Sequence, residues 1–288
     1  MEYNLDSLIR YWRTVFESEN PIRFLHQNER WSEVPKNIFN RFDLTYYPEP
    51  FYGYLDRDCS EDALLLLINP GEVPDSDLVS RYPSPGGDKE ASKALWNADV
   101  RQRYLGWTPE QFRAKEPIGW RETRRKQAQT IVGERVPFLH TIEFFPFHSK
   151  NWTVHLNEQR SWIYNLESTR HSLGAIRHMA KTKKVKFIFG IGNTWKHIIE
   201  AGNDIFEFDD VAEIEIWRPG KTKPSFEIAM YRKNDGSLPI VITRLGGNHM
   251  YLPTDPTAIM AIRSLYRNGE IPPEHNGSTI RANRRKLG

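Results

Sequence analysis

One cysteine, Cys59, occurs in 288 residues. A single thiol closes no internal disulfide and cannot supply the ligands of an iron–sulfur cluster or a zinc ribbon. Long apolar runs are absent as well. Nothing approaches the ~20 residues that span a bilayer, so no membrane partner is expected. The opening residues Met1-Glu2-Tyr3-Asn4-Leu5-Asp6 lack the basic, then apolar, order of a secretory signal. Together these absences predict a cytoplasmic location. Repeats and low-complexity tracts are missing too.

Several catalytic signatures are also absent. The histidines form no His-Glu-x-x-His pair and have no cysteine partners, so no metal site is expected. There is no Gly-x-Ser-x-Gly elbow and no Walker loop, which argues against an esterase or a nucleoside triphosphatase. Gly190-Ile191-Gly192-Asn193 follows an apolar run and opens a helical stretch, but it lacks the third glycine of a dinucleotide fingerprint. No acidic residue ends a strand about 20 residues further on either. Gly192 is therefore read as the residue that lets a helix approach a sheet, and no cofactor is expected.

What is present describes a well-packed globular chain: 39% hydrophobic and 27% charged residues, with a net charge of only +3. The charge is unevenly placed. Arg101, Arg103, Arg113, Lys115, Arg121, Arg124, Arg125 and Lys126 cluster in the middle, and Arg281, Arg284, Arg285 and Lys286 lie near the end. Residues 200–215 are acidic. Such asymmetry suits a polyanionic partner such as DNA, and it equally suits solvated helix faces.

Leu5, Leu8, Ile9, Trp12, Val15 and Phe16 predict an opening amphipathic helix. Residues 1–58 are read as a helical and irregular segment packed on the core, residues 59–270 as the main domain, and residues 271–288 as a disordered basic tail. Strands are expected at Leu64 to Ile68, Val136 to Phe145, Lys184 to Ile191 and Pro239 to Leu245, with helices between them. Val211 to Trp217 and Phe226 to Tyr231 read as an inserted β-hairpin. His171 and His178 fall on one long helix and are expected at its surface. Strands alternating with helices predict an α/β class, a three-layer α/β/α sandwich around a mostly parallel sheet of about four core strands.

The run Leu64-Leu65-Leu66-Leu67-Ile68 breaks off into Asn69-Pro70-Gly71-Glu72, placing an amide and a carboxylate at a strand's carboxyl end, where open α/β sheets bind ligands. Two further strand ends carry polar residues: Glu143 with His148, and Asn248 with His249. Glu143 lies within Ile142-Glu143-Phe144-Phe145, and a carboxylate among aromatics is costly to bury unless it is paired or functional. Either a structural ion pair or a functional role satisfies that constraint.

Taken together, these strand ends resemble the uracil-DNA glycosylase superfamily. Ile68-Asn69-Pro70-Gly71 is similar to the Asn-Pro-Gly water-activating motif of its mismatch-specific branch, and Gly71-Glu72-Val73-Pro74 to the Gly-Glu-x-Pro form of others. Asn248-His249-Met250-Tyr251-Leu252-Pro253 stands where the family carries a His-Pro-Ser loop, with only the histidine matching. His140-Thr141-Ile142-Glu143-Phe144-Phe145-Pro146 falls at the family's base-reading strand. The resemblance runs from Leu64 to about Tyr266 and excludes the iron–sulfur branches.

The resemblance implies a monofunctional, metal-free DNA glycosylase acting as a monomer on a base flipped out of the duplex. Asn69 would orient the attacking water, with Glu72 as its substitute, and His249 would stabilise the departing base. Glu143 stands where the uracil enzymes use asparagine. An ionised carboxylate only accepts hydrogen bonds, so it suits the exocyclic amine of a cytosine and repels uracil O4. Tyr82 or Phe144 would stack on the base, with Asn248 beside it, and Leu252, Met250 or Tyr251 would be the wedge that fills the gap. Arg121, Arg124, Arg125 and Lys126 would hold the DNA backbone. Ordinary cytosine must be spared, so a hypermodified cytosine is expected, such as the glucosylated hydroxymethylcytosine of phage DNA, whose removal would be antiviral. The open alternatives are a uracil or mismatch glycosylase with a structural Glu143, a non-catalytic nucleic-acid binder of the same fold, and a small-molecule enzyme using the same edge.

Overall fold

The computed structural model describes residues 2–29, 31–34, 36–114, 119–149, 160–245, 252–268 and 274–287. In chain order the elements are α1 (Leu5–Glu17), α2 (Pro21–Asn28), α3 (Lys36–Phe39), β1 (Phe51–Tyr52), β2 (Ala63–Leu67), α4 (Asp75–Arg81), α5 (Lys89–Gly106), α6 (Pro109–Ala114), α7 (Trp120–Val132) and β3 (Leu139–Glu143). There follow α8 (Arg160–Asn165), α9 (Glu167–Thr182), β4 (Phe187–Ile191), α10 (Asn193–Ala201), α11 (Asn203–Phe206), β5 (Asp210–Trp217), β6 (Phe226–Arg232), β7 (Ile240–Leu245), α12 (Pro256–Asn268), β8 (Glu274–His275) and β9 (Ser278–Lys286).

The protein is α/β, with an open mixed sheet of nine strands among the described residues, in the order β1-β3-β2-β4-β7-β6-β5-β9-β8. β2 pairs in parallel with β4, and β4 with β7. The remaining ladders around β6, β5, β9 and β8 are antiparallel. The sheet is thus less parallel and much wider than four core strands with a hairpin inserted beside them. The expected hairpin exists as β5 and β6, but β6 pairs onward with β7 through Ala229↔Ile242 and Tyr231↔Ile240. Ile228, Ala229, Met230 and Tyr231 are all buried. Four consecutive buried residues mean that both faces of the strand are covered, which marks an internal strand and not a one-sided ribbon.

The chain divides into two compact units that interleave in sequence. The first comprises Met1–Asp56, Leu67–Ala114 and Ile142–Ile176, and the second Arg57–Leu66, Lys115–Thr141 and Arg177–Gly288.

In the first unit, Asn4 caps α1: its side chain accepts from the Ser7 backbone N–H, and the Ser7 hydroxyl reciprocates at the Asn4 N–H. The predicted apolar face of α1 is buried at Leu5, Leu8, Trp12, Val15 and Phe16. Glu29 accepts from the backbone N–H groups of Glu167 and Ser168 at 2.8 Å each, closing the first turn of α9. His171 is not on the surface. Its ring is buried, stacked on Tyr11 at 4.7 Å and edge-on to Tyr3 at 5.1 Å, and burial holds its pKa down at about 4. An apolar spacing read on α9 alone missed the aromatic neighbours contributed by α1 and the residues just before it.

In the second unit, the glycine that admits a helix is Gly190 and not Gly192. A Cβ on Gly190 would stand 2.5 Å from Ile242 Cδ1 and 3.2 Å from Trp195 Cγ, whereas one on Gly192 would meet nothing within 4 Å. Gly192 instead supplies a φ of +92° at the turn into α10. Close packing thus explains one glycine of the pair and backbone conformation the other.

The described part of the basic tail forms β8 and β9. β9 runs antiparallel to β5 from Asp210↔Lys286 to Trp217↔Thr279, with Ile280 buried opposite Ile216. β8 engages only Ser278 and Thr279, so the rest of β9 is a sheet edge. Arg and Lys on an edge strand discourage further strand pairing, and that charge pattern is what made the segment read as disordered. Ile280→Ala is expected to lower the stability of the protein by about 2–4 kcal/mol, as for other buried aliphatic truncations. Chemical denaturation measures this; an unchanged midpoint would mean that the segment does not pack.

Candidate functional site

The site lies within the first unit, where the exits of β2 and β3 run side by side. Phe144 donates its N–H to Leu67 O, and Phe145 to Ile68 O, each at 2.8 Å. Asn69 is the first residue past this ladder. There Pro70 and Pro74 remove two donors, Gly71 turns with a φ of +81°, and α4 begins at Asp75. The pattern of the apolar run therefore ends the strand at the place where the chemistry-bearing side chains start.

The β3 exit is held from its other side by the segment Phe42 to Pro50, which turns at Leu44 and Thr45. Glu143 donates its N–H to Pro50 O at 2.9 Å, and Glu49 donates to Pro146 O at 2.9 Å. Asp43 donates to His148 O at 2.8 Å, and Phe42 forms a β-bridge with Ser149. Prolines at 48 and 50 bias Tyr47 and Glu49 toward extended backbone.

Two side chains of the β3 exit grip the β2 exit. Asn69 Nδ2 donates to Ser149 Oγ at 2.8 Å, and His148 Nδ1 donates to the Gly71 carbonyl at 3.0 Å. The other ring nitrogen of His148 faces Glu49 Oε1 at 3.4 Å. Glu49 in turn is ion-paired with Arg103 of α5, whose guanidinium also lies 3.6 Å from Asp99. Tyr82 donates its hydroxyl to Asp99 at 2.8 Å. Tyr46 and Trp96 pack their rings against His148 at 5.5 and 6.1 Å.

Burial alone would raise the Glu49 pKa, but Arg103 and His148 outweigh it and hold the carboxyl well below the usual range. Burial acts first on Tyr82 too, and its hydrogen bond to Asp99 adds to it, so the phenol is pushed far up and stays neutral. Glu143 is 6% exposed, so its carboxylate is held away from bulk water at the strand end.

The structure thus brings Asn69, Glu143 and Tyr82 into one unit. Asn69 is half-buried and Glu72 exposed. Tyr82 is tied to Asp99 and edge-on to Trp96 at 5.4 Å, so it is not a loose stacking ring. Phe144 is fully buried, tilted against Tyr164 at 5.8 Å, and shows no face to a base in this conformation. Asn248, His249, Met250 and Tyr251 lie outside the described residues.

In the second unit, Leu252 is 1% exposed and packed, which is not the posture of a wedge. Arg121 and Arg124 are buried, with their guanidinium carbons 5.1 and 5.3 Å from the centre of the Trp120 ring. Arg125 forks onto Glu122 with two bonds of 2.7 Å and donates to Val136 O. Of the four residues expected to hold a DNA backbone, Lys126 alone is well exposed. Helical charge runs do not reveal which bases are spent within the fold, and here three of the four are so engaged.

Sequence reasoning missed Glu49, Arg103 and Ser149. Glu49 carried the same signal that singled out Glu143, an acid inside an aromatic run: Tyr46-Tyr47-Pro48-Glu49-Pro50-Phe51-Tyr52. Arg103 and Ser149 carry no comparable mark. Among the described residues, no group of three or more His, Cys, Asp or Glu could hold a metal ion, and no helix is long and apolar enough to cross a membrane.

Glu49→Gln is expected to cost about 1–3 kcal/mol at neutral pH, because it leaves the partly buried Arg103 guanidinium without one of its charged partners. The folded-state pKa of Glu49 lies below its ordinary 4.5. Its contribution is therefore complete above that pH and is lost progressively as the pH falls below it. Urea titrations at neutral pH and at about pH 3 check this: the gap between wild type and variant should narrow in acid, and a gap that widens would contradict the assignment.

Compared with models of protein families, with curated proteins and with solved structures, the chain matches none, so the function of the site is argued from its own geometry.

Proposed function

We propose that this chain is a monofunctional DNA glycosylase of the uracil-DNA glycosylase type, acting as a monomer on a modified base extruded from DNA. The observation that carries this reading is the pairing of two groups at adjacent strand exits. The Asn69 amide is anchored by Ser149 just beyond β2, and the buried carboxylate of Glu143 ends β3.

An amide whose nitrogen is already engaged offers Oδ1 as an acceptor for one proton of a water. The water's lone pair is then free to attack C1′ of the sugar. As the C1′–N1 bond breaks, its electron pair leaves with the base, the water oxygen bonds to C1′, and the water's surplus proton passes to solvent. The products are a free base and an abasic site. The resemblance assigns charge stabilisation on the departing base to His249, an electrostatic role that contributes several kcal/mol in other enzymes.

Glu143 supports a cytosine-type substrate. Its carboxylate accepts from an exocyclic amine and opposes a carbonyl at the same position. Cytosine leaves less readily than uracil, so protonation at N3 or a substituent at C5 is needed, and a hypermodified cytosine such as the glucosylated hydroxymethyl form meets that need. Lys126 and the exposed bases of β9 would meet the phosphates.

The test presents the purified protein with DNA containing uracil, cytosine, hydroxymethylcytosine or glucosylated hydroxymethylcytosine, and uses alkali to reveal abasic sites. Breaks confined to modified cytosine are expected. They should fall at least 100-fold in Asn69→Ala, as when a group that positions a reactant is removed. Breaks at uracil alone would refute the role of Glu143, and binding without breaks in any DNA would refute catalysis.

A further inference from the structure

We propose that Ser149 and His148 are positioning residues: a two-point clamp from the β3 exit that fixes the Asn69-Pro70-Gly71 turn and aims the Asn69 amide. This rests on the glycosylase reading of Asn69 and adds to it the device that orders the water-holding group.

The turn has little of its own to hold it. Pro70 and Pro74 lack N–H donors, and Gly71, at a φ of +81°, has nothing within 4 Å of where a Cβ would stand. No side chain caps the start of α4 either. The turn is therefore secured by what reaches it from outside, and two consecutive residues do so. Ser149 Oγ takes the Asn69 amide at 2.8 Å, and His148 Nδ1 takes the Gly71 carbonyl at 3.0 Å. A carbonyl can only accept, so His148 must present an N–H at Nδ1 there.

The clamp itself is rigid. Ser149 and His148 are 3% and 2% exposed. Their backbone is tied to Phe42 and Asp43, and the His148 ring is enclosed by Tyr46, Trp96 and the Glu49–Arg103 pair. The ring and the backbone of the clamp are thus held by groups on two separate segments, residues 42–50 and α5, which is what a preorganised site requires of its supporting residues.

The orientation of the amide has chemical consequences. With Nδ2 on Ser149, Oδ1 takes a proton from water and leaves the nucleophilic lone pair free. Rotated by half a turn, the amide would donate to the water oxygen and occupy that lone pair. Removal of the Ser149 hydroxyl therefore takes away the acceptor that holds Nδ2 and leaves the amide free to rotate, without touching DNA or base.

The experiment has two readouts. Single-turnover base release on the best substrate of the four DNAs is compared for wild type, Asn69→Ala, Ser149→Ala and Ser149→Thr. Ser149→Ala should slow the chemical step about 10- to 100-fold. DNA affinity and thermal midpoint should stay at the wild-type level, and Ser149→Thr, which keeps a hydroxyl, should restore most of the rate. In parallel, the Asn69 side-chain amide protons are followed by NMR hydrogen exchange, which needs no substrate. They should be protected in wild type and in Ser149→Thr and exposed in Ser149→Ala. If wild type cleaves and Asn69→Ala does not, an unaltered rate in Ser149→Ala overturns the clamp alone. If wild type cleaves no DNA, the glycosylase reading fails, and the exchange data still decide the clamp: equal protection in wild type and Ser149→Ala overturns it.

Discussion

The partly buried pair between Glu49 and Arg103 is the constraint on which the site depends. A single guanidinium lies between Glu49 and Asp99 and faces both carboxylates where water is partly excluded. From that point order spreads outward. Glu49 faces one nitrogen of His148, His148 holds the Gly71 carbonyl, and Asp99 holds the Tyr82 hydroxyl. Without the pair, each of these side chains would lose a fixed neighbour. Charge burial that contributes little net stability can still specify a single arrangement, and in this unit that arrangement leads to Asn69.

Much of the fold could be read from the chain. The strands β2, β3, β4 and β7 and the paired β5 and β6 were visible because apolar runs bounded by Gly, Pro and polar residues report burial directly. The breadth of the sheet was not visible. Whether a hairpin joins a sheet depends on a partner distant in sequence, and β6 meets β7 through side chains that look alike in either setting. β9 was hidden for a different reason. Its charges are those of a protected edge, and composition alone cannot distinguish an edge strand from a solvated tail.

The candidate site divides along similar lines. Asn69 and Glu143 were legible because each interrupts an apolar run with a group that is expensive to bury. Ser149 and Arg103 were not, because a serine after an aromatic stretch and an arginine on a charged helix have no local oddity. Their roles arise only from the segment Phe42 to Pro50, which lies about 100 residues before the loop it braces. The basic helix α7 shows the converse. Its arginines stood out, but two are buried and one is forked onto Glu122. Their charge is directed mainly toward the protein itself.

The pairing of β5 with β9 also has a consequence for synthesis. The two strands are separated by about 60 residues, among them β6, β7 and α12. Because β9 follows β5 so late in the chain, the second edge of β5 has no native partner until residues 278–286 have been made. During that interval a nascent chain carries an unpaired strand rich in Val and Ile, the kind of template on which neighbouring chains associate. The alternating glutamates at 213 and 215 lie along that waiting edge, so like charge repels a second copy of β5 before the arginine-rich strand arrives to match it.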